Sequence, residues 1–114
     1  MDYEELTMEH MGWPHELSVY VRKPDGSLKA SEIEPDDRCG LGKWIRTEGA
    51  VHRSLPEYSK LMDAHARIHQ VTADIVRHAD AGTLAATALD DKGEFKVAFV
   101  TFLSALMGFR QNSR

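Results

Sequence analysis

Tyr58, Leu61, His65, Ile68, Thr72, Ile75 and Ala79 recur along the middle of this chain at alternating spacings of three and four. That rhythm is a single stripe on a helix and excludes a strand, whose side chains alternate at every second residue. Two further segments repeat it: Leu6, His10, Trp13, Leu17 and Tyr20 near the start, and Phe95, Phe99, Phe102, Leu106 and Phe109 near the end. Stripes with a period close to 3.5 are the signature of helices packed antiparallel in a bundle. With 114 residues, the chain is expected to form one domain (1–114) that buries its core without disulfides.

Local signals mark where these helices begin and end. Ser54 with Glu57 reads as a capping box, with Pro56 in the first turn, where its missing N–H costs little. Asp36 or Asp37 is expected to cap a short helix from Cys39 to Thr47, Gly49 to stop it, and Gly82 to end the long central helix. Thr83 to Leu89 reads as a short helical piece, and Asp90-Asp91-Lys92-Gly93 as a turn. Arg22 to Arg38 is a long polar connection; pairing of Ser18–Val21 with Ser27–Ala30 around Pro24-Asp25-Gly26 is its alternative as a hairpin.

Charge and cysteine content narrow the function classes. The net charge of −4 offers no basic excess for phosphates, which argues against a nucleic-acid binder. No apolar run approaches the ~18 residues of a membrane span. Met1-Asp2-Tyr3-Glu4-Glu5 is acidic where a secretory signal would be basic, and one cysteine cannot close an intramolecular disulfide. A reducing cytoplasm is the expected compartment.

The chemistry-bearing residues are Cys39 and three histidines. His65 and His69 stand four apart, on one side of the central helix and close enough to share an ion. His10 falls on the inward stripe of the first helix, and Cys39 lies on the short helix between the two. Thiolate and imidazole together favour zinc, and four protein ligands with no open position make a structural or sensory site. A helix start would also favour the thiolate form of Cys39. Three neutral imidazoles and one thiolate leave such a site at +1, which Asp63 is expected to offset, or else to orient an imidazole. The alternative is that the histidines are core residues bonded to carbonyls, in a helical bundle that only dimerises.

Cys39-Gly40-Leu41-Gly42-Lys43-Trp44 resembles the Cys-x-Leu-Gly-Lys-Trp motif of the chemoreceptor zinc-binding domains. Tyr58, Leu61, His65 and His69 resemble the family's Tyr-x-x-Leu-x-x-x-His-x-x-x-His run, and His10 with Trp13 its opening His-x-x-Trp. The resemblance implies an all-α fold, an antiparallel four-helix bundle with an additional short helix carrying the cysteine. It implies one zinc ion (Zn2+) held by His10, Cys39, His65 and His69, and a homodimer. It also implies a regulatory role toward a chemoreceptor or a cyclic-dinucleotide enzyme in the bacterial cytoplasm, with zinc or hypochlorous acid sensed at the cysteine. The sequence as given carries no receptor hub or cyclase, which leaves output to another chain or to a longer form of the protein.

One departure from the family bears on the site. Pro14 cannot donate to the carbonyl of His10, so the first helix should kink there, re-aiming His10 or favouring His15 in its place. His10 remains the choice because His15 leaves the stripe.

Enzyme readings find little support. A zinc-protease helix needs Glu after its first histidine, where Ala66 stands, and no Glu-x-x-His or His-x-x-x-Glu suggests a di-iron bundle. Trp13 and Trp44 read as core anchors, Lys43 as solvated, and His78 as a partner of a helix C-terminus. Met8, Met11, Met62 and Met107 read as core filler, and Val97, Ala98, Val100 and Leu103 extend the last helix's apolar surface beyond one stripe. The short cysteine helix is expected to have few contacts apart from its ligand bond, so that loss of that bond releases it.

Overall fold

A computed structural model of the chain describes Met8, residues 10–90 and residues 92–112; the expectations for Leu6 and Asp91 fall outside them. The described residues form helices and no strand: α1 (Trp13–Tyr20), α2 (Ala30–Ile33), α3 (Gly40–Arg46), a 3-10 turn (Glu48–His52), α4 (Pro56–Ala81) and α5 (Glu94–Asn112). The all-α reading holds. Arg22–Arg38 carries the single turn α2 rather than a hairpin, and Thr83–Leu89 forms turns rather than a helix. None of the described helices is long and apolar enough to cross a membrane.

The three stripes meet in one core. Leu17, Leu61, Ile68, Phe102, Leu106 and Phe109 are all buried there. The long helices α4 and α5 pack along each other, α1 and α2 lie against α4, and α3 runs into the 3-10 turn. No trace of period two competes, because every stripe residue of α4 after Tyr58 is buried.

Helix ends depart from the sequence reading in instructive ways. The N-cap of α4 is Leu55, with no side-chain cap: Pro56 takes the first helical position and leaves Ser54 one residue too early to cap. Gly82 does end α4, at φ 72°, a left-handed conformation that suits glycine. Gly49 does not stop α3, which ends at Arg46; instead Gly49 lies inside the 3-10 turn, where an added Cβ would stand 2.8 Å from the Trp44 ring. The core-filler expectation fails for Met8, Met11 and Met107, which are exposed, whereas Met62 packs against the core. Val97 and Val100 are exposed as well.

Candidate metal centre

Each donor arrives on a different part of the fold. His65 and His69 stand one turn apart on the buried face of α4, as their spacing requires. His10 is helical, just before a turn at Gly12 that interrupts the first helix; α1 then restarts with Pro14 in its first turn. The break therefore falls beside His10, as the proline implies, yet it leaves His10 fully buried and facing α4. His15 is exposed and lines a surface hollow with Lys23 and Asp25, so it does not replace His10.

Cys39 is placed by α3. It is the N-cap residue, and its sulfur accepts the Gly42 N–H at 3.3 Å. Neither Asp36 nor Asp37 caps the helix: the Asp36 carboxylate reaches forward to Arg46 at 3.1 Å. The Asp36 carbonyl sits so close to the first turn of α3 that a Cβ on Gly42 would lie 1.8 Å from it. This contact accounts for glycine at the fourth position of the Cys-Gly-Leu-Gly run.

The four side chains converge, and their donor atoms all lie within 4.8 Å of one another. His10 Nε2 is 3.2 Å from His69 Nε2, which is 3.0 Å from His65 Nε2. Cys39 Sγ is 3.2 Å from His65 Nε2 and 3.5 Å from His69 Nε2. A tetrahedral zinc with bonds of ~2.0 Å to nitrogen and ~2.3 Å to sulfur has edges of about 3.3 Å (N to N) and about 3.5 Å (N to S). These four of the six separations come within a few tenths of those edges; the donor atoms farthest apart, at up to 4.8 Å, would close by more than about 1 Å on binding the ion. The donor set therefore fits the ion in element type and number, and in four of its six spacings.

Protonation fits as well. His69 Nδ1 lies 2.7 Å from the Ile33 carbonyl, which can only accept, so Nδ1 carries the proton and the neutral ring turns its Nε2 lone pair inward. Burial pushes His65 down to about 2, helped by the neighbouring His69 and His10 rings and the Arg46 guanidinium. Its imidazole is thus held neutral, the form that ligates. The carboxylate nearest to it is Asp36, 3.9 Å from His65 Nδ1, with Arg46 neutralising that carboxylate on its other side. Asp63 is not that group: it is exposed and lines a groove between α4 and α5.

Aromatic rings wall the cluster. The Trp13 ring centre is 4.7 Å from that of His10 and 4.9 Å from that of His69. Phe102 closes the α5 side, 5.1 Å from His10 and 5.8 Å from His65. Ile33, Asp36, Arg46 and Phe102 were not singled out as site residues from sequence; only Phe102, on its stripe, gave any signal. The histidines are buried and Cys39 is partly exposed, so of the four residues Cys39 lies nearest to solvent.

The short helix is better anchored than the sequence suggests. Leu41 and Ile45 are fully buried, and the Tyr58 hydroxyl donates to the Ile45 carbonyl at 2.9 Å. Leu41 anchors its first turn and Ile45 its second, in addition to the Cys39 sulfur on the Gly42 N–H.

The chemoreceptor zinc-binding domain family matches residues 10–76, more than half of the chain, a span that begins at His10 and contains all four donors. No curated protein and no solved structure matches the chain.

Proposed function

We propose that this chain, which belongs to the chemoreceptor zinc-binding domain family, is a regulatory domain that holds one zinc ion through His10, Cys39, His65 and His69. The observation that carries this reading is the convergence of three buried imidazoles and one thiol within 4.8 Å of one another, four of their six separations near those of a tetrahedral zinc. Bound zinc would supply charge that keeps the Cys39 sulfur a thiolate, and with four protein donors the site has no position for a substrate. The role is regulatory, not enzymatic.

The chain's own residues supply the switch. Cys39 Sγ is both donor and N-cap, so a change at sulfur acts on the ion and on the first turn of α3 together. Hypochlorous acid would act on the thiolate by oxygen transfer: an S–O bond forms, the O–Cl bond breaks, chloride leaves, and a sulfenic acid remains. That sulfur is a poorer donor and a poorer cap, so Cys39–Gly42 loosens while buried Ile45, with the Tyr58 hydroxyl on its carbonyl, keeps the rest of α3 docked. Changing zinc supply acts on the same turn. Family membership supports the remaining features: an antiparallel four-helix bundle over the single domain, a homodimer, a bacterial cytoplasmic setting, and output to a chemoreceptor or cyclic-dinucleotide enzyme.

Elemental analysis of the purified protein tests the reading. About one zinc per chain is expected, reduced in each of His10→Ala, Cys39→Ala and His65→Ala. No metal, and none taken up on adding zinc, would leave a dimerising bundle whose histidines are core residues.

A further inference from the structure

We propose that the groove between α4 and α5 seats a second copy of this chain, with the two α4 helices antiparallel about a two-fold axis that crosses the groove at the level of Met62 along the helix. The groove encloses about 710 Å³, with Ala64 and Ala105 on its floor and Glu57, Lys60, Asp63 and Arg67 on its α4 rim. Lys60, Asp63 and Arg67 are exposed and turn away from the buried stripe that carries His65 and His69, and Glu57 is half-buried at the edge of that stripe, one turn before Leu61. The proposal rests on the homodimer named above and adds the face and register that form it.

The order of the rim charges carries the argument. Read along α4 they run minus, plus, minus, plus. Glu57 and Arg67 stand five residues either side of Met62, and Lys60 and Asp63 two before and one after it. A two-fold axis there sets Glu57 against Arg67 of the second copy and Lys60 against its Asp63, and symmetry doubles both pairs. The face is its own complement, which is what an isologous interface requires. The paired stretch spans about 15 Å of helix.

The rest of the molecule favours this face. The chain carries −4 overall, so two copies repel in most orientations, whereas these four charges sum to zero. The alanines on the floor let a helix approach closely. Arg67 has an intrachain partner in Glu94 at 3.5 Å, but the side chains are 50% and 78% exposed, and so loose a pair yields readily to a better one.

Sedimentation of the intact chain tests the register, with zinc content measured on the same samples. The wild type should dimerise. Lys60→Glu with Arg67→Glu turns all four pairs repulsive and should weaken self-association about 100-fold. Reversing all four charges, Glu57→Lys, Lys60→Glu, Asp63→Lys and Arg67→Glu, should restore a homodimer that does not exchange subunits with the wild type. A monomeric wild type overturns the proposal. So does a double variant that associates as tightly as the wild type, which would move the contact elsewhere, for instance to the exposed Val97, Val100 and Met107 of α5. Metal content separates the two readings: variants that lose association should still hold zinc, and a dimer obeying these charge rules without zinc would refute the functional reading alone.

Discussion

Replacing Gly42 with alanine separates what helix propensity expects from what this site requires. Alanine inside a helix is favoured over glycine by about 1 kcal/mol, so propensity alone makes the substitution stabilising. Here the new Cβ would stand 1.8 Å from the Asp36 carbonyl oxygen and 2.8 Å from its carbon. Both are backbone atoms, so no rotamer relieves the overlap, and reaching even 3.0 Å demands that the Asp36–Asp37 turn retreat by 3.0 − 1.8 = 1.2 Å. Overpacking of this kind costs about 3 kcal/mol at the upper end of its range. The net expectation is a loss of about 2 kcal/mol, or about 8 °C in Tm for a chain of this size. The retreating turn lies just before Cys39 and carries the carboxylate beside His65, so zinc affinity should fall tenfold or more. Thermal unfolding with and without zinc, together with a competition titration against a metallochromic chelator, reads both quantities. An unchanged or raised Tm with unaltered zinc affinity would refute the packing argument.

Further outcomes follow from the same geometry. In chelator-treated protein, His65 binds its proton near 6.5 when unfolded and only at about 2 when folded. Its contribution is therefore complete above about pH 6.5 and is lost as pH falls below it, by up to ~1.4 kcal/mol per unit. Urea unfolding from pH 7.5 to 5 should show this slope, and a flat profile would contradict it. Cys39→Ala should speed amide exchange over Gly40–Lys43 while Ile45 and Arg46 stay protected; equal loosening along all of α3 would mean that buried Ile45 and its bond from Tyr58 do not anchor the second turn. The Thr72 hydroxyl is buried with no hydrogen-bond partner among the described residues, and Thr72 is one of the residues lining a cavity of about 80 Å³. Thr72→Val keeps the shape and removes that group, so it should stabilise by about 1 kcal/mol in denaturant titrations.

The parts of this molecule legible in its sequence are those set by local spacing. The stripes on α4 and α5 are consequences of helical period, and so is the adjacency of His65 and His69. Cys39 meets them because Leu41 and Ile45, four apart on α3, bury the same face of that helix and so fix which way its N-terminus points. What was not legible depends on segments that fold back from a distance. Ile33 and Asp36 reach the site only because the Arg22–Arg38 connection docks α2 on α4, where the Ile33 carbonyl meets His69 and Glu34 pairs with Arg77. Nothing in the composition of that connection marks the turn.

Two misreadings had a local physical signal that outranked the one followed. Asp63 is two residues before His65, and positions two apart on a helix do not share a face. The same geometry that joins His65 to His69 thus sends Asp63 outward to the groove rim. Pro56 likewise fixes the frame of the α4 start, since proline belongs at the first helical position and the cap must then be Leu55. Cys39 is the converse case. A sulfur is a weak acceptor beside the oxygen of Asp or Ser, so sequence rules look for the cap at Asp36 or Asp37. In the proposed site a zinc-bound thiolate would carry the full charge that the helix start favours, and the residue proposed to ligate is also the residue that caps. That double duty ties the order of the first turn of α3 to the chemistry of a single sulfur atom.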